Sequence, residues 1–192
     1  MLCYITGSRG VSRVAEAFAA GVDMVQIRAK ELSGRELCRM ADEVSRIKDR
    51  GELLINDRLD IALACGADGV HLPANRPPAS AYRALAPPGF IISVACHSPE
   101  DVQRAAAEGA DLALLAPIFS TPGKGAPLGL DTLRIAASAG IPVLALGGVT
   151  LENAQSCFAA GAAGIAAIRL FEDADDLVNL IARGRSRRVL CP

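Results

Sequence analysis

The sequence predicts an α/β fold, a single (β/α)8 TIM barrel domain over residues 1–192. Three observations predict it. One phrase recurs four times along the chain, an apolar strand stands between each pair of recurrences, and the core is aliphatic. Apolar residues make up 51% of the chain, aromatics only 4%, and Trp is absent. A core of Ala, Val, Ile and Leu suits buried parallel strands covered by helices.

The recurring phrase is AAGVDMVQIR, ACGADGVHLP, AEGADLALLAP and AAGAAGIAAIR. Each is an Ala-rich helix end, a Gly, a short turn and an apolar strand. Gly21, Gly66, Gly109 and Gly161 are spaced by 45, 43 and 52 residues. A Gly just past a helix supplies the left-handed conformation that closes it. Each spacing leaves room for one further strand and helix, and the intervening strands are LLIND, FIISVA and PVLALGG, with LCYIT ahead of the first helix.

The predicted strands lie near residues 2–6, 24–29, 53–57, 69–73, 90–95, 112–118, 142–148 and 163–170. Helices are expected near 12–20, 34–50, 58–65, 79–86, 98–108, 130–139, 151–160 and 173–185. Strict alternation means a parallel sheet. Eight units favour a closed barrel over a doubly wound open sheet. Ser98-Pro99-Glu100-Asp101 reads as an N-cap, a Pro at the first helical position and first-turn acids, and Thr150 as the cap after Gly147-Gly148.

Charge and cysteine usage narrow the function classes. The formal net charge is −1. The only basic run, Arg183 to Arg188, reads as a solvated tail and not as a nucleic-acid site. No apolar run approaches membrane-spanning length and no signal-peptide pattern opens the chain, so a cytoplasmic protein is expected. The six cysteines form no C-x-x-C pair and read as reduced, mostly buried thiols, not zinc ligands.

Barrel sites form where strands end. Gly147 and Gly148 close the seventh strand, and Ala167, Ile168 and Arg169 the eighth. Loops after these two strands hold phosphates with backbone N–H groups in many barrels, and Gly lets the backbone approach the oxygens. Gln26, Arg28 and Lys30 alternate along the second strand, and two cations there suit a polyanion such as diphosphate. A plain salt bridge to Glu31 or Asp57 is the competing role for Arg28 and Lys30. Asn56 and Asp57 end the third strand, where Asp57 is a candidate Mg2+ ligand or a helix cap. His97 ends the fifth strand and is the candidate acid–base group. Cys96 should face the helices, and His71, inside a short strand, is assigned to packing. Thr121 and Lys124 sit on the one long loop, and Lys124 can close over an anion.

These segments together resemble the thiamine-phosphate synthase family, including its TenI-type relatives. The marks, in order, are LCYIT, VQIRAK, LLINDRLDIALACGADGVHL, ISVACHS, APIFSTPGK, IPVLALGGV and GAAGIAAI, which span nearly the whole chain. The resemblance implies one of two activities on a thiazole phosphate. The synthase couples it to a pyrimidine diphosphate, releases diphosphate and uses Mg2+. The TenI-type tautomerase moves a proton to aromatise a thiazole phosphate carboxylate, with a His at the fifth strand end and no cofactor. By resemblance, Arg28, Lys30, Asn56 and Asp57 match the diphosphate and metal half of the synthase site, and Thr121 and Lys124 its loop. A homodimer is implied for the TenI type.

The chain departs from the family pattern in three places. GVHLPANR puts Arg76 where synthases carry a second metal-binding Asp, Thr121-Pro122-Gly123-Lys124 lacks one hydroxyl of the usual loop, and Arg169 replaces a small Ser. These departures favour a TenI-like thiazole tautomerase, with the synthase next and a non-catalytic phospho-ligand sensor third. They also predict weak Mg2+ binding in the absence of diphosphate.

Overall fold

A computed structural model describes residues 1–6, 10–48 and 50–182. The basic run Arg183 to Arg188 and Cys191 therefore lie outside the described residues. Eight strands alternate with helices in chain order. They are β1 (Leu2–Thr6), α1 (Gly10–Ala20), β2 (Met24–Ile27), α2 (Gly34–Ile47), β3 (Glu52–Asn56), α3 (Leu59–Ala64), β4 (Gly69–Leu72), α4 (Ala79–Arg83), β5 (Ile91–Cys96), α5 (Pro99–Ala107), β6 (Leu112–Leu115), α6 (Gly129–Ala136), β7 (Val143–Leu146), α7 (Leu151–Ala159), β8 (Gly164–Ala167) and α8 (Arg169–Glu172). Every strand pairs in parallel with its successor, and β1 closes on β8 through Leu2↔Ile165, Cys3↔Ala166 and Tyr4↔Ala167. The (β/α)8 barrel expected from the alternation is the fold found.

Strand alternation sorts the core into two layers. Cys3, Ile5, Met24, Leu54, Leu112, Leu114, Leu144 and Ala166 fill the barrel interior. The intervening residues, such as Tyr4, Val25, Ile55, Val70, Ile92 and Cys96, pack outward in the larger core shared with the helices. Cys96 is thus fully buried on the side away from the barrel interior, as the alternation predicts.

Several predicted boundaries are corrected: β6 ends at Leu115 and not 118, β7 at Leu146 and not 148, α2 at Ile47 and not 50, and α4 at Arg83 and not 86. The eighth strand stops at Ala167 instead of running to residue 170, because Ile168 (φ −101, ψ −74) turns the chain into α8. The last helix does not begin at residue 173: α8 starts four residues earlier, and a further helical stretch occupies residues 177–182. The predicted caps are present. Ser98 accepts from the Asp101 N–H with Pro99 at the first turn, and Thr150 forms a capping box with Asn153.

The recurring phrase has a structural purpose beyond closing helices. Asp23, Asp68 and Asp111 stand two residues after Gly21, Gly66 and Gly109. Each makes a reciprocal pair of bonds with the strand before it. The Asp23 N–H donates to the Leu2 carbonyl (3.1 Å) while its carboxylate accepts the Leu2 N–H (2.7 Å). Asp68 does the same with Leu53, and Asp111 with Ile92, each carboxylate contact being 2.7 Å. The fourth phrase has Ala163 at this place: its N–H donates to the Val143 carbonyl (2.9 Å), and it has no carboxylate to complete the ring. The Ala163 carbonyl instead accepts from the Met1 amine at 2.8 Å. The three clasps fix β1 to β2, β3 to β4 and β5 to β6 at the N-terminal end of the barrel.

Candidate functional site

At the other end of the barrel, the strand C-termini open onto one cavity of about 520 Å3. Gln26, Arg28, Lys30, Asn56, Asp57, His97, Thr121, Lys124, Gly147 and Ile168, all sequence-predicted site residues, line it together. The alternation that fills the interior with apolar side chains lower down brings these polar ones to the rim.

One arc of the rim is cationic. Arg28 and Lys30 follow β2, Arg76 follows β4, and Lys124 comes from the loop after β6. Asp57 is the only carboxylate among the lining residues. It sits at φ 65, the only left-handed non-Gly residue among those described, a conformation that Asp tolerates better than most. This turn carries its side chain to Arg76, whose Nε and terminal nitrogen each donate to one carboxylate oxygen in a forked pair. Asp57 does not cap α3, whose N-cap is Arg58 with no side-chain bond. Neither Arg28 nor Lys30 pairs with it. Among the described residues Arg28, Lys30 and Lys124 form no salt bridge.

A second arc is built from backbone. Gly147 and Gly148 follow β7 at φ 93 and 64. A Cβ on Gly147 would stand 2.8 Å from the Pro117 Cα, and one on Gly148 2.6 Å from the Ser120 carbonyl oxygen. The glycines are therefore required both by their left-handed backbone and by the loop after β6, which presses against them. Among the described residues the N–H groups of Gly147, Gly148 and Ile168 find no hydrogen-bond acceptor. Gly148 adjoins the lining residue Gly147, Ala167 turns its side chain into the outer core while its backbone leads into Ile168, and Arg169 is exposed as the first residue of α8.

Two polar side chains reach the floor. Gln26 is 1% exposed and, among the described residues, its Nε2 has no hydrogen-bond partner. An orphaned buried amide is costly unless a ligand or water satisfies it. His71, the second, keeps the packing role expected of it and adds a contact with the cavity. It is buried inside the barrel, lines the cavity, and shares a 2.9 Å hydrogen bond between Nδ1 and the Ser93 Oγ. Burial, with a smaller contribution from the Arg28 charge, pushes its pKa down to about 4, so the ring is neutral near pH 7. The alternation in Gly69-Val70-His71 was the available signal: it points His71 inward above a residue with no side chain.

His97 lies on the exposed lip beyond β5. Its Nδ1 is 2.8 Å from the Ala116 carbonyl, which can only accept, so Nδ1 carries a proton and, in the neutral tautomer, Nε2 is the nitrogen with the lone pair. The Thr121 hydroxyl donates to the Phe119 carbonyl at 3.0 Å and shapes the loop that carries Lys124.

The donor set does not fit a divalent metal. Both oxygens of Asp57 are occupied by Arg76, no second carboxylate lines the cavity, and four cations surround the place. Among the described residues the only cluster of three metal-capable side chains is Cys38, Asp42 and Cys65, carried by α2 and the end of α3 on the outer layer.

Comparison with known proteins agrees with this geometry. The structure of a thiamine phosphate pyrophosphorylase from Pyrococcus furiosus superposes on this chain with a TM-score of 0.87 at 29% identity, covering 97% of this chain and 95% of its own. A thiamine-phosphate synthase from Methanoculleus marisnigri is 46% identical over 79% of this chain and 75% of its own length. One from Chlorobium luteolum is 43% identical over 88% of this chain and 83% of its own. The sequence model described as thiamine monophosphate synthase matches residues 2–171, and the chain belongs to that family.

Proposed function

We propose that this chain is a thiamine-phosphate synthase, coupling a pyrimidine diphosphate to a thiazole phosphate. The observation that carries the reading is a single cavity with two separate anion-binding arcs. Arg28, Lys30, Arg76 and Lys124 give one arc four cations, and the unpaired N–H groups of Gly147 and Ile168 give the other its donors. A substrate with one phosphate needs only one of them. The names of the similar proteins support the same reading.

On this reading the thiazole phosphate sits over the glycine turn after β7 and the start of α8, where free N–H groups point at oxygens. The pyrimidine diphosphate lays its phosphates across the cationic arc. Breaking its C–O bond sends the bonding electrons to the diphosphate while the lone pair of the thiazole nitrogen forms the new C–N bond, and fixed cations stabilise the charge as it develops. Gln26 offers a buried amide to a polar atom of a ring lodged between the arcs.

The tautomerase expected from the departures is the second reading. It is favoured by His97, whose Nδ1 bond to Ala116 leaves Nε2 ready to take a proton, and by the engagement of Asp57 with Arg76. Product analysis separates the two. With pyrimidine diphosphate and thiazole phosphate supplied together, the purified protein should release thiamine phosphate and diphosphate. Aromatised thiazole from the tautomer alone, with no coupled product, would establish the second reading instead. Binding of both substrates with neither product would mark a sensor.

A further inference from the structure

We propose that Arg76 is the built-in counter-cation of the diphosphate arc, so that this chain holds a diphosphate without a divalent metal. The inference rests on the reading of that arc as a diphosphate site and goes beyond it. The forked contact between Arg76 and Asp57 covers both carboxylate oxygens. An oxygen-seeking cation would need those same two atoms. To reach them, Mg2+ would have to displace a guanidinium and then stand among Arg28, Lys30 and Lys124.

The guanidinium can serve two partners at once. Arg carries five N–H donors, of which the pair with Asp57 uses two. The others remain for phosphate oxygens, which the planar fork matches well. Arg76 and Asp57 are both partly exposed at the mouth, with side-chain exposures of 40% and 27%. An incoming anion therefore meets the cation without first opening a buried pair. Asp57 is a positioning residue here, held at φ 65 so that its carboxylate orients Arg76. Where a metal site uses acids to hold a cation that the solvent supplies, this arc uses one acid to hold a cation that the chain supplies.

The test is calorimetric titration of the purified chain with inorganic diphosphate, in EDTA and again with Mg2+. Metal-free binding is expected, with affinities in the two buffers within about threefold. Arg76→Ala should weaken binding in EDTA by about 10–100-fold, the worth of charge-assisted hydrogen bonds. Arg76→Asp places two carboxylates together and should make binding depend on Mg2+. Thermal melts of both variants confirm folding. Binding by the parent only when Mg2+ is present would overturn the inference while leaving the diphosphate site standing. No binding in either buffer would overturn the site itself and the inference with it.

Discussion

His97 and His71, the only two histidines of the chain, show how position along a strand decides what an imidazole does. His97 is one residue past β5, exposed, with its tautomer fixed by Ala116. A general base of this kind contributes ~10²–10⁴-fold to a proton transfer. On the tautomerase reading, His97→Ala should lower aromatisation of the thiazole tautomer by that factor, while coupling with pyrimidine diphosphate changes less than about tenfold. Rate measurements on both reactions check this, and equal losses in the two would make His97 a ligand contact instead. His71 is held neutral inside the barrel, so its folded pKa lies below its unfolded one. The unfolded chain gains the proton first on acidification. Stability present above pH ~6.5 is therefore lost as pH falls towards about 4. Between pH 7 and 5 the parent should lose about 2 kcal/mol more than His71→Gln in urea unfolding, at 1.36 kcal/mol per unit. Matching losses would show that His71 takes its proton in the folded state.

At the scale of elements, the reciprocal clasps are the informative repeat. Three αβ turns carry Asp and one carries Ala163, whose N–H already makes the corresponding bond to Val143. Ala163→Asp should complete the fourth ring by offering a carboxylate to the Val143 N–H. A net gain of about 1 kcal/mol is expected for a charged hydrogen bond after desolvation, which raises Tm by roughly 2–4 °C in a chain of this size. Differential scanning fluorimetry of the variant decides it, and an unchanged or lower Tm would mean that the Val143 N–H needs no further acceptor. The loop after β6 is another joint between elements. Because Pro117 and Ser120 touch the positions where Gly147 and Gly148 lack a Cβ, Lys124's loop and the glycine turn are packed as one body.

Across the whole molecule, the fold was legible because it repeats. Four Gly-centred phrases and the strands between them define eight units, and an alternation of two assigns each strand residue a side. The site was legible wherever a polar residue ended a strand, which is why ten predicted residues share the cavity. It was less legible where the chain turns. Arg169 continues the apolar spacing of the eighth strand, and only the backbone angles of Ile168 show that the strand has ended. His71 is buried and bonded to Ser93, in keeping with its packing role, and alternation adds that it points inward to the cavity. The clasping role of Asp23, Asp68 and Asp111 is not legible in sequence, since a carboxylate beside a glycine turn reads equally well as surface solvation. The Arg76–Asp57 pair joins residues 19 apart, and only the adjacency of β3 and β4 brings them together.

The uneven clasps give the barrel a seam. Three neighbouring strand pairs are hooked together by carboxylates at the closed end, and the β7–β8 pair is not. That same pair carries the glycine turn and the start of α8 at the open end. On the proposed reading this is also the pair that meets the phosphate. A bound phosphate bridging Gly147 and Ile168 would act as a removable rivet for it, so amide exchange along β7 and β8 becomes a direct gauge of occupancy.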